Sequence, residues 1–244
     1  KIARRVFVRE LVVCTIWTLV GLSVASQSQN GTFVSRFMPV GWTPQQRFLA
    51  LLAPAMLVFF EALQLGLGAA INPMLSITLC IAARISVQDA ARMVVAQFLG
   101  HALAVRVFHH AVDESGAILT PPKPRADVPV LHAIGVEAVL TFAMAFTLPI
   151  IGEWIQNAWI RSLVPPLIIL CLISAGAATA GAASMNPAMA ASMAVNSDIW
   201  DMHWIYWIGP VTGAIVAGLA LLVHDIKPNR SHSPQQSHPE FKST

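Results

Sequence analysis

Charge is what this sequence most lacks. Among 244 residues, lysine and arginine number 15 and aspartate and glutamate 12, or 11% together, where a soluble domain carries about 25%. So few charges cannot clothe a water-facing surface, and most of the surface is expected to face lipid. Cysteine is sparse at three, Cys14, Cys80 and Cys171. They are far apart in apolar surroundings, which fits neither a metal site nor a disulfide framework, and they read as buried free thiols. No cleavable leader is expected, because the first apolar run is long enough to stay in the membrane. No nucleophile–base pair or metal constellation appears, so neither an enzyme nor a cofactor is expected. The net charge of +3 would suit an anionic partner. The basic residues, however, lie in short connections and tails between apolar spans, where membrane topology accounts for them, and nucleic acid is not expected.

What is present is apolar sequence, 56% of the chain. A helix needs about 20 mainly apolar residues to cross a bilayer. Spans are predicted near 6–26, 46–65, 87–110, 130–151, 162–179 and 203–224. A loop is expected around Pro121-Pro122-Lys123-Pro124-Arg125. The Ser-, Pro-, Gln- and His-rich tail 227–244 is expected to be disordered, leaving a membrane domain over 1–226.

Two uncharged stretches, from Glu61 to Arg84 and from Arg161 to Asp198, are too long for one crossing and too short for two. Each fits a helix followed by a segment that enters the membrane, turns and leaves on the same side. Such backbone survives at membrane depth only packed in protein or lining a watery cavity. The stretches also echo each other: Gly68-Ala69-Ala70-Ile71-Asn72-Pro73-Met74 resembles Ala182-Ala183-Ser184-Met185-Asn186-Pro187-Ala188. Glu10 precedes the first and Glu137 the second. Three spans per copy insert the second copy upside down, giving an inverted repeat over about 6–110 and 130–225.

An Asn-Pro pair has a physical meaning at a helix start. Asparagine is a favoured N-cap and proline is favoured at the first helical position. That end carries exposed N–H groups and the positive pole of the helix dipole. Two such ends meeting at the midplane make a positive centre whose amides donate to a passing oxygen, while cations and protons meet a barrier. More basic residues fall on the side of the termini than on the other, which predicts cytoplasmic termini. Asn30-Gly31-Thr32 then lies in the first outer loop as a glycan acceptor.

In these features the chain resembles the aquaporin family. The resemblance runs from about Glu10 to His224, on Gly181-Ala182-Ala183-Ser184-Met185-Asn186-Pro187-Ala188, Glu137-Ala138-Val139-Leu140-Thr141-Phe142, Gln97-Phe98-Leu99-Gly100 and Tyr206-Trp207-Ile208-Gly209-Pro210. It implies an all-α membrane fold of six spans and two re-entrant half-helices, and a homotetramer with one pore per subunit. It implies that Asn72, Pro73, Met74, Asn186, Pro187 and Ala188 form the pore boxes and that Glu10 and Glu137 brace the re-entrant loops. Counting back from the boxes, it assigns the selectivity constriction to Leu52, Ser174, Ala183 and Met189.

The departures carry weight too. Met74 stands where the family usually has alanine, and Met189 where most members place the constriction arginine. This pattern looks like the unorthodox branch, which includes plant small basic intrinsic proteins and animal superaquaporins, and it implies the endoplasmic reticulum or the plasma membrane. Methionine for arginine removes a fixed charge and five donors. The expected consequence is a passive channel for water that also admits small neutral solutes such as glycerol, although a flexible Met189 can instead narrow the gap. A proton-coupled small-solute transporter and a non-conducting structural protein of the same fold are the alternatives. His101, His109 and His110 are candidates for a pH gate near the outer end of the third span, and the tryptophans for interfacial anchors.

Overall fold

A computed structural model describes residues 2–28, 34–59, 68–112 and 120–226. Asn30 and the tail 227–244 lie outside them. The described chain is helical, with no strand among the described residues. Helix α1 covers Ile2–Gln27, a short 3-10 turn Val34–Phe37, α2 Pro44–Phe59 and α3 Pro73–Ile81. They are followed by α4, Val87–Val112, α5, Val130–Trp154, α6, Ala158–Ala180, α7, Pro187–Ser197, and α8, Ile205–Ile226.

Five of these helices, α1, α4, α5, α6 and α8, are long and apolar enough to cross a membrane. The second predicted span corresponds to α2, whose 16 residues end where the described chain breaks off. Helices α3 and α7, with 9 and 11 residues, are about 14 and 17 Å long. That is roughly half a bilayer's hydrocarbon thickness.

Packing follows the repeat. Helix α1 lies along α4 in the first copy and α5 along α8 in the second. The half-helices cross over: α3 packs on α8 and α7 on α4. Close approach rests on small residues, as helix association in lipid requires. A β-carbon on Gly100 would sit 2.7 Å from Cys14 Cβ and 2.8 Å from the Leu11 carbonyl. On Gly209 it would sit 2.5 Å from Glu137 Cβ and 2.8 Å from the Ile134 carbonyl. Gly213, one turn beyond Gly209, is the position matching Gly100: a β-carbon there would meet Ala138, Thr141 and Phe142 as one on Gly100 would meet Leu11, Cys14 and Thr15, so both long-helix pairs close by the same device.

The exposed surface is apolar and rimmed by tryptophan. Val95, Leu99, Val139, Leu163, Leu167 and Val216 are exposed along the long helices, while Trp154, Trp159, Trp200 and Trp204 are exposed near their ends. That is the distribution an interfacial aromatic belt takes. The cysteine expectation needs correction. Cys14 is buried, but Cys80 is half-buried and Cys171 exposed, since Cys171 lies on the outward face of α6.

At one end of the bundle Arg84, just past α3, bonds Asp225 of α8 at 2.8 and 2.9 Å and pairs with Glu153 of α5 at 2.7 Å. Those bonds, chiefly to Asp225, hold the guanidinium pKa above its ordinary value. At the other end Lys123 pairs with Asp201, and Arg125 donates from its backbone N–H to the Ala180 carbonyl at 2.9 Å.

Candidate functional site

Both Asn-Pro turns are helix starts, built alike. Asn72 is the N-cap of α3, and its Oδ1 accepts from the Met74 N–H at 2.9 Å. Asn186 caps α7, and its Oδ1 accepts from the Ala188 and Met189 N–H groups at 3.1 and 3.2 Å. With each oxygen turned to its own helix, each amide nitrogen is turned outward. The residue before each asparagine is in the left-handed region, Ile71 at φ 53° and Met185 at φ 50°. For a β-branched isoleucine that is a strained conformation. It has to be held from outside.

The two glutamates sit where that hold is needed. Glu10 accepts from the backbone N–H groups of Ala70 and Ile71 at 2.9 and 3.0 Å and from Gln97 Nε2 at 2.9 Å. Glu137 accepts from Ser184 and Met185 at 2.7 and 2.9 Å. Each carboxylate thus takes the N–H of the strained residue and of the one before it. Both are fully buried, and charge-assisted bonds to paired N–H groups offset the cost of burying them.

The turns face each other across a cavity of about 130 Å³, lined by Asn72, Asn186, Ile71, His101, Met185 and Met189 among others. Asn72 Nδ2 donates across it to the Met185 carbonyl at 2.9 Å. A larger cavity of about 590 Å³ opens beside it towards Arg9, Asp89 and Arg161. Ala70, Leu75 and Leu148 line both.

Of the four constriction candidates, Ala183 and Met189 line the central cavity. Leu52 does not; it is buried among Val13, Cys14, Met56 and Ile71. Ser174 is also outside the lining and donates to the Leu170 carbonyl of its own helix at 2.8 Å. Trp17, Ile169 and Ile173 line the cavity instead. Met74 is buried without reaching either cavity, so its bulk goes into the core rather than the path. Met189 packs beside Leu22, Val105 and Phe108.

The histidine expectation divides. His109 and His110 stand at the far end of α4, in edge contact with each other. His101 is not near that end. It lies 14 residues into a helix that begins at Val87, about 21 Å along it, and it lines the central cavity while wholly buried. The sequence holds one signal for this: His101 directly follows Gly100 in the Gln97–Gly100 motif, as the one titratable side chain between Arg92 and Arg106 of that helix.

With this geometry described, the comparisons with known proteins are decisive. The model of the family described as major intrinsic protein matches residues 4–221. The chain belongs to the major intrinsic protein family. Among its relatives, aquaporin TIP1-2 of Zea mays is 32% identical over 190 residues, 75% of this chain and 72% of the relative. Aquaporin TIP1-1 of Arabidopsis thaliana is 29% identical over 218 residues, 86% and 85% of the two chains. The X-ray structure of the aquaglyceroporin from Plasmodium falciparum shares the fold with a TM-score of 0.68 at 14% identity, over 89% of this chain and 94% of that one. The two sequence relatives are TIP aquaporins, so a place for this major intrinsic protein in the unorthodox branch rests on Met74 and the constriction residues.

Proposed function

We propose that the chain is a passive pore through which water and small neutral solutes cross a membrane, and that the path runs between Asn72 and Asn186. The observation that carries this is the pair of opposed caps, each with its amide nitrogen free of its own helix, at one cavity that shares lining residues with a wider one. A permeant oxygen accepts from these amides, while the two helix starts oppose a cation. Glu10 and Glu137 hold the strained turns in place. Because both carboxylates are occupied by backbone N–H groups, a proton relay through them, and with it coupled transport, is disfavoured.

Of the candidate constriction, Ala183 and Met189 stand on the path, while Leu52 and Ser174 do not reach the central cavity. Without an arginine there, exclusion of neutral solutes such as glycerol is weak. A TIP-like or aquaglyceroporin-like choice of solute follows only as an extension from the relatives. The apolar outer faces of the long helices fit a homotetramer with one path per subunit. Cytoplasmic termini, an internal or plasma membrane and a glycan on Asn30 complete the proposal.

The test is osmotic shrinkage of proteoliposomes with water, glycerol, urea and hydrogen peroxide, for the native chain and for Met189→Arg. Water flux above that of empty vesicles, with glycerol flux that Met189→Arg reduces, is expected. Flux equal to empty vesicles would replace the channel by a non-conducting membrane protein of the same fold.

A further inference from the structure

The two halves of the waist are not equivalent, and the difference lies in one side chain. Asn72 Nδ2 donates to the carbonyl of Met185, the residue preceding the other asparagine. The two-fold partner of that bond would run from Asn186 Nδ2 to the carbonyl of Ile71. Among the described residues it is not made. Instead the imidazole of His101 stands between them, with Nε2 3.2 Å from the Ile71 carbonyl oxygen and 3.2 Å from Asn186 Nδ2. Its other nitrogen, Nδ1, meets Thr18 Oγ1 at 2.5 Å. In the second repeat the position matching His101 is Ala214, because Gly213 makes with Ala138, Thr141 and Phe142 the contacts that Gly100 makes with Leu11, Cys14 and Thr15, and alanine has no side-chain donor or acceptor.

A neutral imidazole has one donor and one acceptor, and Nε2 cannot serve both of its neighbours. With the proton on Nε2, it donates to Ile71, Thr18 donates to Nδ1, and both hydrogens of the Asn186 amide are left to the cavity. With the proton on Nδ1, it donates to Thr18, Nε2 accepts from Asn186, and the Ile71 carbonyl is left to the cavity. The waist therefore presents either donors alone or donors with an acceptor. A carbonyl held open in this way meets the N–H or O–H hydrogens of a permeant, which two amides alone cannot do.

We infer that His101 is a selectivity-determining residue, giving the waist an acceptor that favours neutral solutes with several donor hydrogens, such as urea and polyols. The inference rests on the channel reading. Removing the imidazole lets Asn186 close onto the Ile71 carbonyl and makes the waist symmetric and donor-only.

The experiment reconstitutes the full-length native chain, His101→Leu, His101→Phe and His101→Gln in liposomes and reads urea and glycerol permeability against water permeability. Taking the ratio in the same vesicles cancels differences in how much protein folds. The ratio is expected to fall about fivefold, roughly one net hydrogen bond, in both apolar variants despite their different size. Glutamine, with a donor and an acceptor, returns it to within about twofold. If neither apolar variant reconstitutes, Thr18→Val serves: a proton on Nδ1 then has no acceptor, the Nε2–H form is favoured, and the ratio falls. An unchanged ratio, or one that moves oppositely in leucine and phenylalanine, would overturn the role of His101. So would a native channel that passes water alone. A native chain no faster than empty vesicles would sink the channel reading itself, and this inference with it.

Discussion

Replacing Glu137 by glutamine removes a charge and turns one acceptor into a donor, with almost no change of shape. Glu137 receives the N–H groups of Ser184 and Met185 at 2.7 and 2.9 Å. Glutamine keeps one of these bonds as a neutral one, about 1 kcal/mol weaker than its charged counterpart. Its amide NH2 faces the second N–H, donor to donor, and a buried donor left unpaired costs about 1–3 kcal/mol. The sum is about 2–4 kcal/mol, concentrated on a turn that already holds Met185 at φ 50°. The loss is local, so the turn carrying Asn186 should loosen before the helices separate. The assay is paired: thermal unfolding in detergent and stopped-flow water permeability in liposomes. Glu137→Gln should lower the unfolding midpoint by several degrees and reduce permeability per folded protein. Glu10→Gln should do more, because Glu10 also receives Gln97 Nε2 at 2.9 Å. A Glu137→Gln channel with native midpoint and native permeability would refute the idea that the carboxylate holds the turn.

Two further predictions concern the frame around the site. In Gly213→Ala the new β-carbon would lie 2.3 Å from the Ala138 carbonyl and 2.8 Å from the Phe142 nitrogen, both backbone atoms. Helices α5 and α8 must then move apart, at a cost of about 1–3 kcal/mol, and native stability in the alanine variant would show the contact to be soft. His203, just before α8, accepts from Trp207 Nε1 at 2.9 Å, and its pKa is lowered by burial. Its folded value lies below its unfolded one, so the unfolded chain binds the proton better and stability falls with pH. The contribution of His203 is present above the ordinary histidine range and lost as pH falls towards the lowered value. Unfolding midpoints at pH 7.5 and 5 should therefore differ less in His203→Phe than in the native chain, and equal differences would remove His203 as the cause.

Much of this molecule is written in short stretches of sequence. Scarcity of charge sets the solvent. Asn-Pro fixes each half-helix start, because the cap bond spans only two or three residues, as Asn72 to Met74 and Asn186 to Met189 do. The matching of the two copies predicts that Glu10 and Glu137 are equivalent, and their paired backbone bonds are alike to within a few tenths of an ångström. The second span is less legible: only 44–59 of it is described, and its Pro54 lies within the helix.

What lines the path was decided by tertiary structure alone. Whether a residue faces the cavity depends on the depth and rotation of a whole helix, and these are set by contacts with the other repeat. Leu52 and Met74 therefore went to the core, while Trp17 and Ile173, unremarkable in sequence, reached the cavity. His101 is the sharpest case. Sequence alone determined that a titratable ring sat on an apolar helix. Only the meeting of α1, the first turn and the second, bringing together residues 30 to 85 positions away, gave its two nitrogens three partners to choose among.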